Sequence, residues 1–301
     1  MKVRLGARGS ALSLVQANLI AGALEGRAEV EIVEVRTTGD RLSAAGAPIG
    51  WKGDFTRELD EALLSGAIDL AVHSLKDVPS ALPEGLVLGA VPKREDPRDV
   101  LLSHPRRLFA ELPAGAAVGT SSPRRRAQIL AARPDLTVAD ARGNVDTRIR
   151  RLKEGKWDAI VLARAGLARL SRLDELTEVF DESLILPAVG QGALGIVARA
   201  DGGRVRSLLG GIDDPGSHAE ALAERGLLAR LEAGCRAPVA ALARATGQAL
   251  SLEAAVFAAD GSRLLRGRSE GGAVDAEAIG RELAERLLGE GAGELIAQAK
   301  A

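Results

Sequence analysis

The chain has no tyrosine, two tryptophans and four phenylalanines, an aromatic share of 2%. So few flat rings leave little for nucleobases to stack on. Forty lysines and arginines face forty-one aspartates and glutamates, a net charge of −1. Without a global positive field, a nucleic-acid partner is not expected. Any anion site must therefore be local. One cysteine, Cys235, excludes an internal disulfide and a cysteine-cluster metal centre, so no metal is expected. No apolar run reaches the roughly 20 residues of a membrane span. The opening M-K-V-R-L-G-A-R is charged at once and has no apolar signal core, so a cytoplasmic protein is expected.

What is present is a 46% hydrophobic chain of 301 residues, enough for two or three domains. Short apolar runs alternate with helical patterns, the signature of an α/β fold. Strands are expected at Lys2–Ala7, Val30–Arg36, Leu70–Val72, Leu86–Val91, Ala116–Gly119, Thr137–Ala141 and Asp158–Ala163. Ser10 is expected to cap a helix through Leu12, Leu14, Val15, Leu19 and Ile20. Residues 37–53 are rich in glycine and alanine without periodicity, long enough for a lid. Lys93–Asp99 reads as a polar crossover, and Leu186–Ile196, broken by Gly190, Gly192 and Gly195, as a hinge returning the chain to the first domain through a strand at Gly195–Arg199. A helix over His218–Leu231, strands at Val239–Arg244, Leu250–Ala258 and Ser262–Ser269, a helix over Ala276–Leu288 capped by Asp275, and a last helix over Gly293–Lys300 make a small α+β domain. The expected division is residues 1–92 with 193–212, then 98–187, then 215–301.

The chemistry gathers at strand ends, where open α/β sheets bind ligands. Ile68–Pro79 runs from a buried strand straight into His73, Ser74, Lys76 and Asp77. An isolated Lys-Asp pair is ordinarily a solvated turn. Here other strand ends carry cations too. Arg8 and Ser10 sit at a strand-to-helix turn, where free N–H groups and the helix dipole favour carboxylate or phosphate. Thr120, Ser121, Ser122, Arg124 and Arg125 surround a helix start marked by Pro123. Arg142 and Arg148 flank Gly143, which allows close backbone approach, and Arg164 and Arg169 follow the next strand. Any one could be a surface charge; their recurrence on one edge argues for a polyanion. Cys235 follows Gly234 and precedes Arg236, which favours a loop position and a thiolate over the usual small buried hydrophobe.

H-S-L-K-D-V-P (His73–Pro79), G-T-S-S-P-R-R (Gly119–Arg125), R-G-N-V-D-T-R (Arg142–Arg148), L-P-A-V-G-Q-G-A-L (Leu186–Leu194) and E-A-G-C (Glu232–Cys235), in this order, resemble the hydroxymethylbilane synthase (porphobilinogen deaminase) family. The resemblance runs from Arg8 to the C-terminus. It implies two α/β domains of the type II periplasmic-binding-protein kind flanking a cleft, plus a small C-terminal α+β domain. It implies a dipyrromethane cofactor bonded covalently to Cys235, on which four porphobilinogen units are joined head to tail with loss of ammonia before hydrolysis to 1-hydroxymethylbilane. By the match, Asp77 is the catalytic carboxylate. Lys76, Thr120, Ser121, Ser122, Arg124, Arg125, Arg142 and Gly143 bind cofactor; Arg8, Ser10, Gln16, Lys52, Phe55, Arg148 and Arg169 bind substrate. The bidentate fork of arginine suits a growing chain that carries an acetate and a propionate on every ring. Lys52 and Phe55 fall on the expected lid. Two departures, Asp54 beside that Phe and Arg164 in a usually apolar context, leave lid details open and offer a spare arginine near the cleft. The family inclines to monomers. The alternative from another class is a non-catalytic two-domain organic-anion-binding protein, which explains the arginines but gives no use for Lys76–Asp77 together with a loop cysteine.

Overall fold

The computed structural model describes residues 1–40, 55–234 and 237–299. The first sheet is built from β1 (Lys2–Arg8), β2 (Glu29–Val35), β3 (Leu70–Ser74), β4 (Leu86–Ala90) and β10 (Leu194–Arg199). Its order is β2-β1-β3-β10-β4, with β1 parallel to β2 and β3, and β10 antiparallel to both its neighbours. The second sheet repeats the plan with β5 (Asp99–Ser103), β6 (Ala117–Gly119), β7 (Thr137–Ala139), β8 (Ala159–Ala163) and β9 (Glu178–Val179), in the order β7-β6-β8-β5-β9. There β5 is the antiparallel strand beside β8. Each sheet thus receives its one reversed inner strand from a segment that has just crossed over from the other sheet. Two crossings with this strand order define two type II periplasmic-binding-protein-like units.

Helices cover the sheets: α1 (Ala11–Ala23), α2 (Arg57–Leu64), α3 (Pro123–Ala132), α4 (Val145–Lys153), α5 (Arg164–Arg169) and α6 (Gly203–Leu209). Their starts are chemically marked. Ser10 accepts from Ser13 N, Ser122 from Arg125 N with Pro123 at the first position, and Asn144 from Thr147 N. The third unit is an antiparallel meander of β11 (Val239–Thr246), β12 (Ala249–Phe257) and β13 (Leu264–Gly272), covered by α7 (Pro215–Arg230) and α8 (Ala276–Gly289), with α9 (Ala292–Gln298) at the end. Helices α7 and α8 approach backbone to backbone: a Cβ on Gly280 would lie 2.0 Å from Ala223 O, and one on Gly226 would lie 2.6 Å from Glu277 O. Among the described residues, no helix is long and apolar enough to cross a membrane.

Several expectations need correction. Asp99, the last residue of the expected polar crossover, instead opens β5, a wholly buried strand that the sequence reading does not include. The apolar stripe expected on α1 is only partly the buried one. Ile20 faces inward as expected and packs in the core with Ala17, whereas Leu12, Leu14 and Val15 are half-buried, Leu19 is exposed, and the buried Ser13 and Gln16 line a polar cavity. The third-unit strand runs to Gly272 rather than Ser269, and α7 starts at Pro215, capped by Asp214, rather than at His218. Asp275 precedes α8 without a side-chain cap bond, and α9 ends at Gln298.

Candidate active site

Strand β3 ends at Ser74 and passes into a 3-10 turn over Leu75–Asp77. Leu75 is the anchor. Its N–H donates to Ala193 O of the returning chain (3.0 Å), its carbonyl accepts from Val78 N (3.0 Å), and its side chain is buried with Val78, Val91, Ala193 and Ala221. With Leu75 pinned inward, Lys76 and Asp77 are left at the strand end, half-buried. Val78 is extended, as a residue before proline should be.

Asp77 lines a cavity of about 60 Å³ with Arg8, Ser10, Ser13, Gln16, Phe55, His73 and Ser74. Among the described residues its carboxylate has no hydrogen-bond or ion-pair partner. Gln16 Nε2 donates to Ser74 Oγ (2.9 Å), fixing one wall. Arg8 ion-pairs with Asp40 (2.5 Å), and its guanidinium lies 4.0 Å from the ring centre of Phe55, a cation–π distance. Burial pushes the Asp40 carboxyl up, but hydrogen bonds from Arg8 and Thr37 outweigh it, so the pKa falls below the ordinary value. His73 is buried without a partner for Nε2, and burial, helped by the Arg8 charge, lowers its pKa to about 4. It is therefore a neutral wall at physiological pH.

Behind Asp77 lies a buried charge cluster that joins both crossings. Asp99 is fully buried and ion-pairs with Arg124 (2.7 Å) and Arg125 (2.6 Å). Burial opposes that carboxylate, yet the two guanidinia and hydrogen bonds from Arg125 and Gln191 hold its pKa down at about 2. Gln191 bridges the halves. Its Nε2 donates to Asp99 Oδ1 (2.8 Å) and Pro97 O (2.7 Å), while its Oε1 accepts from Lys76 Nζ (3.3 Å). Burial, then repulsion from Arg125, lowers the Lys76 pKa to about 8. The same two causes bring Arg148 down to about 10; its Nε donates to Gly143 O (2.8 Å). Two cations are thus held where they are under-neutralised, beside an unpaired carboxylate. That arrangement wants anions on one side and a cation on the other.

The remaining expected residues are placed as follows. Thr120 Oγ1 accepts from Ser122 N, and Ser121 Oγ accepts from Ala141 N, so both brace the loops around the start of α3. Gly143 has φ +109°, with Thr147 in close contact, and needs to be glycine. Arg142 pairs with Asp140 on the surface (3.1 Å). Arg169 donates to Gly192 O (2.6 Å) in the crossing. Arg164 is not spare: it pairs with Glu95 (3.2 Å) and Asp96 (3.4 Å). Lys52, Asp54, Cys235 and residues 41–53 of the expected lid lie outside the described residues. Asp99 and Gln191 are not marked as site residues by the sequence. Asp99 closes a run that reads as a polar crossover, and Gln191, an uncharged side chain between hinge glycines, carries no chemical signal of its own.

This cluster has the charge to hold a ligand with many carboxylates. Residues 3–207 match the family model described as porphobilinogen deaminase, dipyromethane cofactor binding domain, and residues 218–289 match its C-terminal domain. The chain belongs to the porphobilinogen deaminase family. The porphobilinogen deaminase of Desulforudis audaxviator is 52% identical over 100% of this chain and 98% of its own length, and that of Moorella thermoacetica 48% identical over 100% and 97%. Among solved structures, the BvgS VFT2 domain of Bordetella pertussis covers 70% of this chain and 86% of its own at 17% identity and a TM-score of 0.43, too slight a likeness to argue from. As a member of the family, the chain is a transferase of tetrapyrrole synthesis that acts on porphobilinogen and carries a dipyrromethane cofactor.

Proposed function

We propose that Asp77 is the catalytic group of this deaminase and that the cations around it hold the carboxylates of cofactor and substrate. The observation that carries this reading is an unpaired, half-buried carboxylate at a strand end, in one cavity with Arg8 and beside Lys76 and Arg148, whose charged forms are disfavoured by burial and by repulsion from Arg125. When bound, dipyrromethane would supply the free pyrrole carbon to which the first porphobilinogen is joined, each later unit joining the ring added before it. Loss of ammonia from porphobilinogen leaves positive charge on the incoming pyrrole. Asp77 stabilises that charge and takes up the proton lost from the acceptor ring carbon once the new bond has formed there, in a site partly shut off from water by Phe55 and the neutral His73.

Lys76, Arg148, Arg8, Arg142 and Arg169 take up acetate and propionate groups, with Ser10, Gln16, Thr120, Ser121, Ser122 and Gly143 shaping the walls. Arg124 and Arg125 serve chiefly as buried positive charge, since Asp99 and the carbonyls of Leu186 and Val161 engage their guanidinia. Cys235 is the attachment point, and Lys52 joins the substrate contacts. The chain works as a cytoplasmic monomer of three domains, 1–92 with 193–212, 98–187 and 215–301. Separate hydrophobic clusters for the three sheets support the division.

The test is intact mass and turnover together. Wild type should exceed its sequence mass by two linked pyrrole units, and Cys235→Ser should lose that excess. Asp77→Asn should keep both the fold and the added mass while kcat falls at least about 100-fold, the loss of one well-placed charge worth roughly 3 kcal/mol. Wild-type turnover in Asp77→Asn would sink the assignment.

A further inference from the structure

The turn that carries Asp77 is also held from the third unit. Arg225 of α7 is buried, at 9% exposure, and its guanidinium spans three successive carbonyls just past the catalytic residue. Nη1 donates to Val78 O (3.4 Å), and Nη2 to Pro79 O (2.8 Å) and Ser80 O (3.0 Å). Among the described residues, those three carbonyls accept from no backbone N–H. Partly buried carbonyls without a backbone donor need one from a side chain, and Arg225 supplies it. Ala221, one helical turn earlier on the same face of α7, packs with Leu75 and Val78.

The preceding residue grips the crossings. Glu224 is fully buried, accepts from Arg94 (2.6 and 3.2 Å) and from Gly190 N (2.6 Å), and also accepts from Ala243 N of its own unit (2.9 Å). One helix of the third unit thus fixes both the crossing and the Asp77 turn. Burying a guanidinium is costly, and burial indeed lowers the pKa of Arg225. An apolar side chain would fill the same space without that cost.

We infer that Arg225 is a positioning residue for Asp77: it holds the backbone on the far side of the carboxylate, while Leu75 holds the near side, so that the C-terminal unit sets where the carboxylate sits in the cleft. This rests on the catalytic reading of Asp77. Of the proposed carboxylate binders only Lys76, a cofactor contact tied separately to Gln191, lies in this turn; the proposed substrate binders Arg8, Arg148 and Arg169 have their partners elsewhere. Loosening it should therefore displace the carboxylate that acts in the transition state and leave substrate binding in place.

The experiment measures kcat and KM for Arg225→Met and Arg225→Lys as loaded proteins, with pyrrole content checked by intact mass and Asp77→Asn run in parallel. For Arg225→Met with full cofactor mass, kcat should fall about 10- to 100-fold with KM within about 3-fold, the pattern of a group displaced in the transition state. Arg225→Lys, whose ammonium reaches some but not all three carbonyls, should lie between Met and wild type. Should Arg225→Met fail to fold, the lysine variant decides alone: a kcat lowered about 3- to 10-fold at unchanged KM supports the inference, and a wild-type kcat overturns it. A rise in KM at unchanged kcat also overturns it. An inactive Asp77→Asn beside a fully active Arg225→Met would overturn this inference and leave the role of Asp77 standing; an active Asp77→Asn would remove the catalytic reading itself.

Discussion

Replacing Asp99 by Asn tests the charge cluster directly. The carboxylate has no solvent exposure and sits 2.7 Å from Arg124 and 2.6 Å from Arg125, with Gln191 Nε2 at 2.8 Å. Asn keeps the volume but leaves two buried guanidinia without a counter-ion, and turns an amide NH2 toward one of them. Removing one partner of a buried pair typically costs about 3–5 kcal/mol. The unfolding entropy of a chain this long is about 0.6 kcal/mol per kelvin, so the melting midpoint should fall by roughly 6 °C.

The pH dependence gives the second handle. The folded pKa of Asp99 is about 2 against 3.8 for an unperturbed aspartate, so its contribution is complete above pH 4 and is lost as pH falls toward 2. That shift corresponds to about 2 kcal/mol. It is smaller than the cost of substitution, because the shift counts only the gain from ionising Asp99 and not the stranded arginines. Melts should be recorded in the Cys235→Ser background, so that cofactor carboxylates cannot replace the missing charge. A variant melting within about 1 °C of its parent at pH 7, or a deficit that does not narrow between pH 4 and 2.5, would refute the reasoning.

Lys76→Met should stabilise the cofactor-free protein at pH 7. The folded pKa of about 8 lies below the unfolded 10.5, so stability rises with pH across that interval and the charged form is a burden below it. Allowing for partial exposure, the gain is about 1–3 kcal/mol, fading by about pH 10, while porphobilinogen binding weakens; an unchanged or lower melting midpoint would contradict this. Gly192→Ala should cost about 2–4 kcal/mol, because φ is +88° and the new Cβ would lie 2.3 Å from Glu95 O. Gly155→Ala is the control: φ is +78° with nothing within 4 Å of the new methyl, and a loss of only about 1 kcal/mol is expected in the same urea titration.

Much of the cleft was legible from local chemistry. Ser122-Pro123 and Ser10 mark helix starts in any context, because a hydroxyl capping free N–H groups and a ring with preset φ act within a few residues. The abrupt change after Val72 located Asp77, and the glycines at 190 and 192 marked a crossing where side chains do not fit; both have φ in the left-handed region. Elsewhere local reading misled. Arg124 and Arg125 looked free at a helix N-terminus, and only the arrival of β5 from the other half shows Asp99 between them. Arg164 looked spare until Glu95 and Asp96 were brought to it by the same crossing.

The sequence by itself determined the α/β alternation, the strand-end position of Asp77, the family, and hence the chemistry. These depend on periodicity, caps and contiguous motifs, which are short-range properties. Tertiary structure alone decided which cations are spent on internal partners and which are left for a ligand. It also decided that Gln191 links Lys76 to Asp99 across 92 residues or more, and that a helix near the end of the chain holds the turn beside Asp77. A charge carries no mark of its partner in its immediate neighbours, since electrostatic pairing and burial are settled by which distant strands pack together.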